Sequence, residues 1–193
     1  TLDSISTGDY NTALGFEALK DNDANGKNTA VGYKALTANN GGGDNTAQNN
    51  TAVGYQALVA NEGGSYNTAV GSDALVASTT ASQNTAVGKN ALVSLTTGTL
   101  NVAVGMNSGD AITTSNSNVT IGYNAGGSIT TGSNNICVGQ DSGVYTTALT
   151  TGGQNTCIGH AAYTTTAGST EANVIGYAVG GAAGYTTLGE TTN

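Results

Sequence analysis

The chain has 193 residues, a formal charge of −8 and only 8% charged residues; Lys20, Lys27, Lys34 and Lys89 are its only cations. So few basic groups argue against nucleic acid and anionic lipid as partners, because neutralising phosphate takes clusters of lysine and arginine. No apolar run reaches the roughly 18 to 20 residues that span a bilayer, so this segment is not expected to insert into a membrane.

Residues 1–10 read as an irregular lead-in without a signal-peptide pattern, which suits a mature product and an excised piece equally. From Asn11 a five-residue motif takes over, seen at its clearest in Asn84-Thr85-Ala86-Val87-Gly88. It starts at 11, 28, 50, 67, 84, 101, 118, 135 and 155, with weaker copies at Ala172 and Tyr185. Most steps are 17 residues; the step from 28 is 22, that from 135 is 20 and the last is 13. A fixed period of this size marks stacked supersecondary units that grow in one dimension. The expectation is an all-β chain, a parallel β-roll or β-solenoid of about eleven 17-residue repeats. It fills residues 11–193 as one domain, with a change of texture separating 11–100 from 101–193.

The motif positions carry distinct signals. Position 5 is glycine in all eleven copies, which implies a positive φ or the close approach of another backbone. Position 4 is always Val, Ile or Leu and is expected to face inward with position 2, while position 3 takes the opposite face. Position 3 is mostly alanine. The stripe Ala13, Ala30, Ala52, Ala69, Ala86 and Ala103 is small enough to admit a neighbouring chain. Positions 8 and 9 read Ala-Leu through Ala91-Leu92 and suggest a second short strand near positions 7 to 9. From the sixth copy, position 9 becomes Gly109, Gly126 and Gly143, while position 2 becomes Val102, Val119 and Ile136. That exchange of bulk predicts that positions 2 and 9 share one core. Position 1 is asparagine in nine consecutive copies and predicts an amide ladder along the axis, each Asn also able to cap its own turn.

Chemistry is sparse. His160, the single histidine, falls at position 6 on the expected outer surface. No nucleophile, base and orienting group are marked together, so a structural rather than catalytic role is expected and no cofactor is implied. Asp21-Asn22-Asp23-Ala24-Asn25-Gly26 matches the opening of an EF-hand loop. Its twelfth position is Gly32 rather than a bidentate Glu, so a polar turn between repeats is the better reading of Asp21 and Asp23. Cys137 and Cys157 share position 3 of adjacent repeats, roughly 5 Å apart if the repeats stack. A bridge is geometrically open, and a pair of small buried thiols is the plainer reading. Position 6 carries Phe16, Tyr33, Tyr55, Tyr123 and Tyr177, a column that could hold a ligand or brace an interface between chains. The extra residues lie at 37–49 and 144–154, and insertions of this kind project as loops, often on a binding face. Tyr33, Tyr55, Asn40 and Asp44 are therefore the candidate binding residues.

Thr85-Ala86-Val87-Gly88 and Val102-Ala103-Val104-Gly105 carry a resemblance. Repeated at short intervals in a chain rich in Gly, Asn, Thr and Ser, this run resembles the head repeats of YadA-type trimeric autotransporter adhesins. It is also similar to related repeats in phage tail fibres and bacterial surface fibres. The resemblance covers Asn11 to about Gly176; the period here is longer than in adhesin heads, and no stalk or anchor pattern is read within these 193 residues. It implies a left-handed β-roll assembled as a homotrimer, extracellular on a cell surface or virion, attaching to a surface glycan or protein receptor. An ice- or polysaccharide-binding solenoid is the alternative, given the threonine rank Thr12, Thr29, Thr51, Thr68 and Thr85.

Overall fold

The computed structural model describes residues 8–22, 24–40, 46–144 and 149–189. Among them the chain forms short strands and no helix. The strands are β1 (Thr12–Leu14), β2 (Thr29–Val31), β3 (Thr51–Val53), β4 (Thr68–Val70), β5 (Thr85–Val87), β6 (Val102–Val104) and β7 (Val119–Ile121). They continue with β8 (Ile136–Val138), β9 (Thr156–Ile158), β10 (Tyr163–Thr164), β11 (Asn173–Ile175), β12 (Gly180–Gly181) and β13 (Thr186–Leu188). Eleven of them make one sheet in chain order, from β1 to β9 and then β11 and β13, while β10 and β12 pair apart. Every pairing is parallel and motif lies on motif, as in Thr51↔Thr68, Ala52↔Ala69 and Val53↔Val70. The chain is a β-solenoid whose coils, numbered here from the motif start at Asn11, stack at the sequence period.

Two expectations about the coil are overturned. Position 3 faces the interior: Ala30, Ala52, Ala69, Ala86 and Ala103 are fully buried, so this stripe is the chain's own core and admits no neighbour. Positions 2 and 4 point outward, and position 4 is well exposed at Ile121 and Ile175. The coil explains the inversion. Ala74 and Leu75 of positions 8 and 9 fill its inside, leaving room for only a methyl group opposite. Branched side chains at position 4 have to go outside.

The second strand expected near positions 7 to 9 forms only in the ninth and tenth coils, where β10 and β12 pair at positions 9 and 10; in the first eight coils a turn stands there. Its position 7 and position 9 residues are left-handed, with φ of 53° at Gln56 and 52° at Leu58. Coils are still bonded across it, since Leu58 donates its N–H to the Ala74 carbonyl at 3.0 Å. A left-handed leucine is strained by about 1 to 2 kcal/mol. Gly109, Gly126 and Gly143 release that strain where they replace leucine. The lost bulk comes back at positions 12 and 3, and position 2 takes no part in the exchange. A Cβ on Gly109 would stand 3.0 Å from Ile112 Cδ1 and 3.1 Å from Thr120 Oγ1. Ile112, Ile129 and Leu149 take over the core role in these coils.

The asparagine ladder forms. Asn84 Oδ1 accepts the Asn101 N–H at 2.9 Å, and Asn101 Oδ1 accepts the Asn118 N–H at 3.0 Å. Each amide nitrogen also ties down its own turn, as when Asn101 Nδ2 donates to the Ser115 carbonyl at 2.9 Å. Ladder and cap are therefore one device.

A second buried ladder runs through position 12. Asn39 Nδ2 donates to Asn22 Oδ1 at 2.6 Å, and Asn61 Nδ2 donates to Asn39 Oδ1 at 2.9 Å. It stops where Ser78 replaces asparagine: Asn61 Oδ1 and Ser78 Oγ are buried without a partner among the described residues. Ser78→Asn should supply the missing donor to Asn61 Oδ1. With about 1 kcal/mol per bond, a rise of roughly 2 to 4 °C in thermal midpoint is expected by calorimetry. An unchanged or lower midpoint would show that the unpaired oxygen is not a weak point.

Candidate functional site

Two outward features of the stack can meet a partner. The first is the sheet face built by positions 2 and 4. Strand alternation sends Val102 and Val104, Val119 and Ile121, and Ile136 and Val138 to one side, and parallel register lines them up along the axis. Ile121 is 39% exposed and Ile136 41%, in the middle of the sheet. The first five coils carry threonine in the position 2 rank, as in Thr68 and Thr85, and aliphatics in the position 4 rank. No residue at position 2 or 4 of the eleven-stranded sheet is charged. A sheet face left to water ordinarily carries polar and charged side chains.

The second feature is the position 6 column, just past the glycine corner. Phe16 stacks on Tyr33 with ring centroids 5.4 Å apart and planes 10° apart. Tyr33 stacks in turn on Tyr55 at 5.3 Å and 8°. All three rings are exposed. The coil spacing sets this geometry: identical addresses recur at about 4.8 Å along the axis, close to the reach of offset ring stacking. The column ends at Ser72, the next residue at this address.

A polar rim borders the rings. Glu17 pairs with Lys20 at 3.2 Å and with Lys34 at 3.5 Å. The Lys20 hydrogen bond and the charges of Lys20 and Lys34 hold the Glu17 carboxyl below the usual range. Lys34 Nζ also lies 5.5 Å from the centre of the Tyr33 ring. A second, shorter stack joins His160 to Tyr177 at 5.0 Å and 12°, so the histidine is exposed at position 6 as its spacing predicts.

Of the candidate binding residues, Tyr33 and Tyr55 are brought together. Asn40 is exposed at position 13, a different column of the coil. Asp44 lies outside the described residues, as does Asp23 of the calcium-like stretch. The rest of that stretch turns away from a common centre. Asp21 is exposed, whereas Asn25 is buried with its Oδ1 accepting the Ala47 N–H at 3.1 Å. Its Nδ2 donates to the Asn39 carbonyl at 2.8 Å, which makes Asn25 part of the stack's internal bonding.

Sequence reasoning missed the apolar face because it turned positions 2 and 4 inward. It also missed the Glu17 and Lys34 rim; the signal available was the placing of three of the four lysines between residues 20 and 34. Comparison with protein-family models, with curated proteins and with solved structures finds no match.

Proposed function

We propose that this chain is an attachment module of an extracellular fibre, carried on a cell surface or virion, structural rather than catalytic. In this reading three copies of a left-handed β-roll assemble side by side as a homotrimer, in the manner of the adhesin heads and tail fibres whose repeats the sequence resembles. The observation that carries it is the uncharged outward face of the long sheet. In an acidic chain of net charge −8, a row of half-buried to exposed aliphatics is best satisfied by burial against further copies of itself. Three copies also multiply any contact made elsewhere on the surface, so that a shallow site on each chain can hold through avidity.

The aromatic column is the proposed contact for a surface glycan or protein receptor. Rings presented in a row, beside the Glu17, Lys20 and Lys34 rim, offer both apolar area and charge. The chain has nothing to offer nucleic acid, and no helix among the described residues is long and apolar enough to cross a membrane. Immobilised glycans and receptor candidates, probed with wild type and with the Tyr33→Ala, Tyr55→Ala double variant, test the reading. Binding lost at least tenfold with the assembled mass unchanged is the expected result. Equal binding by both proteins would remove the column from the attachment site. Loss of assembly instead would make the rings braces between chains.

A second reading keeps one observation in its favour. Thr29, Thr51, Thr68 and Thr85 stand outward in register beside Val31, Val53, Val70 and Val87, a regular array of the kind a lattice-binding solenoid presents. Thermal hysteresis in a freezing-point measurement would favour this ice-binding alternative.

A further inference from the structure

We propose that Cys137 and Cys157 are an oxidisable pair whose disulfide staples the eighth coil to the ninth. The two residues are direct register partners on β8 and β9, both side chains turn into the core, and both are free thiols in this structure. Parallel neighbours lie about 4.8 Å apart, within the Cα separation that a disulfide tolerates. Space for the sulfurs exists because position 9 of the eighth coil is glycine: a Cβ on Gly143 would stand 2.7 Å from Cys137 Sγ. A leucine there, as in the first five coils, would occupy the place the sulfur takes. The thiols also interact. The Cys157 sulfur beside it, and then burial, push the Cys137 thiol well above its usual range, while the same contact holds Cys157 below its own. Either thiol can attack first and both orders give the same bridge, here followed from Cys157.

The oxidant is a peroxide, small enough to enter where larger disulfides are excluded. The Cys157 thiolate attacks one oxygen of hydrogen peroxide, the O–O bond breaks, and the departing hydroxide takes up the thiol proton as water, leaving a sulfenic acid. The Cys137 sulfur then attacks the sulfenic sulfur. The S–O bond breaks, and the hydroxyl group leaves as a second water with the Cys137 proton. The two sulfurs together give up the two electrons that reduce the peroxide. In an oxidising compartment the bond persists. It closes the longest repeat of the second half of the chain, the 20-residue step from 135.

The test treats the whole purified chain with hydrogen peroxide, unfolds it in guanidinium with an alkylating agent, and measures intact mass. The expected product has lost two hydrogens and takes up no alkyl group. Its thermal midpoint rises by on the order of 5 to 10 °C, and dithiothreitol reverses both changes. Cys137→Ala and Cys157→Ala, each restoring the residue common at position 3, should each form no bridge within the chain, ending as a single thiol or its sulfenic acid, and show no rise. Two alkyl groups on the treated wild type would overturn the proposal, as would added oxygens without a bridge. A disulfide joining two chains, or a bridge that lowers the midpoint, would overturn it equally.

Discussion

Gly122→Ala should destabilise the chain by roughly 4 kcal/mol or more, lowering the thermal midpoint by on the order of 10 °C. Two effects add. The φ of Gly122 is 131°, a region that a Cβ makes costly. The Cβ would also stand 2.7 Å from the carbonyl carbon and oxygen of Gly139 in the next coil, and neither atom can move without breaking the stack. That stack is held at this point by the Gly139 N–H donating to the Ile121 carbonyl at 2.8 Å. Gly189 separates the two effects. Its φ is 127°, yet among the described residues nothing lies within 4 Å of the Cβ it would gain. Gly189→Ala should therefore show the conformational strain alone, about 1 to 3 kcal/mol. Equal losses at the two sites, read by calorimetry, would mean that close approach between coils is not what position 5 serves.

The asparagine ladder gives the second large effect. Asn101→Ala removes the acceptor of the Asn118 N–H and the donor to the Ser115 carbonyl, both in the buried interior. Each stranded group costs about 1 to 3 kcal/mol, so a total of roughly 2 to 5 kcal/mol is expected. Asn101→Asp tests the chemistry of that loss. An aspartate keeps the acceptor for Asn118 but loses the donor, and burial disfavours its charge, so its stability should improve as pH falls. The sign follows from linkage: a carboxyl whose folded pKa lies above its unfolded value favours the folded state once it is protonated. Chemical denaturation of Asn101→Asp at pH 4 and pH 8 measures this. No pH dependence would show that water reaches the ladder.

The repeat period carried the architecture openly. A motif spaced by 17 residues fixes which strands are neighbours, and its identical letters fix the register. The ladder was legible too, because an asparagine repeated at one address in a stack has its own copy above it. What the sequence concealed was the sign of the strand faces. Alternation correctly grouped positions 2 and 4 against position 3. Hydrophobicity then pointed Val70 inward and Ala69 outward, and the narrow coil does the opposite, because Leu75 already fills the space facing Ala69. The uniform smallness of position 3 was the clue: a site that stays alanine through Ala103 is one where nothing larger fits.

The turn at positions 7 to 9 was concealed for a related reason. Leu58 is a poor choice for a left-handed residue, so the Ala-Leu pair read as a strand. Glycine at the same address in Gly109 and Gly126 marked the conformation, since only a positive φ makes leucine and glycine alternatives there. The candidate site was half legible on the same grounds. Rings at position 6 announced a column, whereas the apolar face needed the strand orientation first.

Sedimentation equilibrium of the wild-type chain over a wide concentration range tests the side-by-side assembly most directly. A single species at three times the 18.8 kDa chain mass, stable to dilution, is the predicted result. A species of 18.8 kDa at every concentration would leave Ile121 and its neighbours in water and contradict the assembly outright.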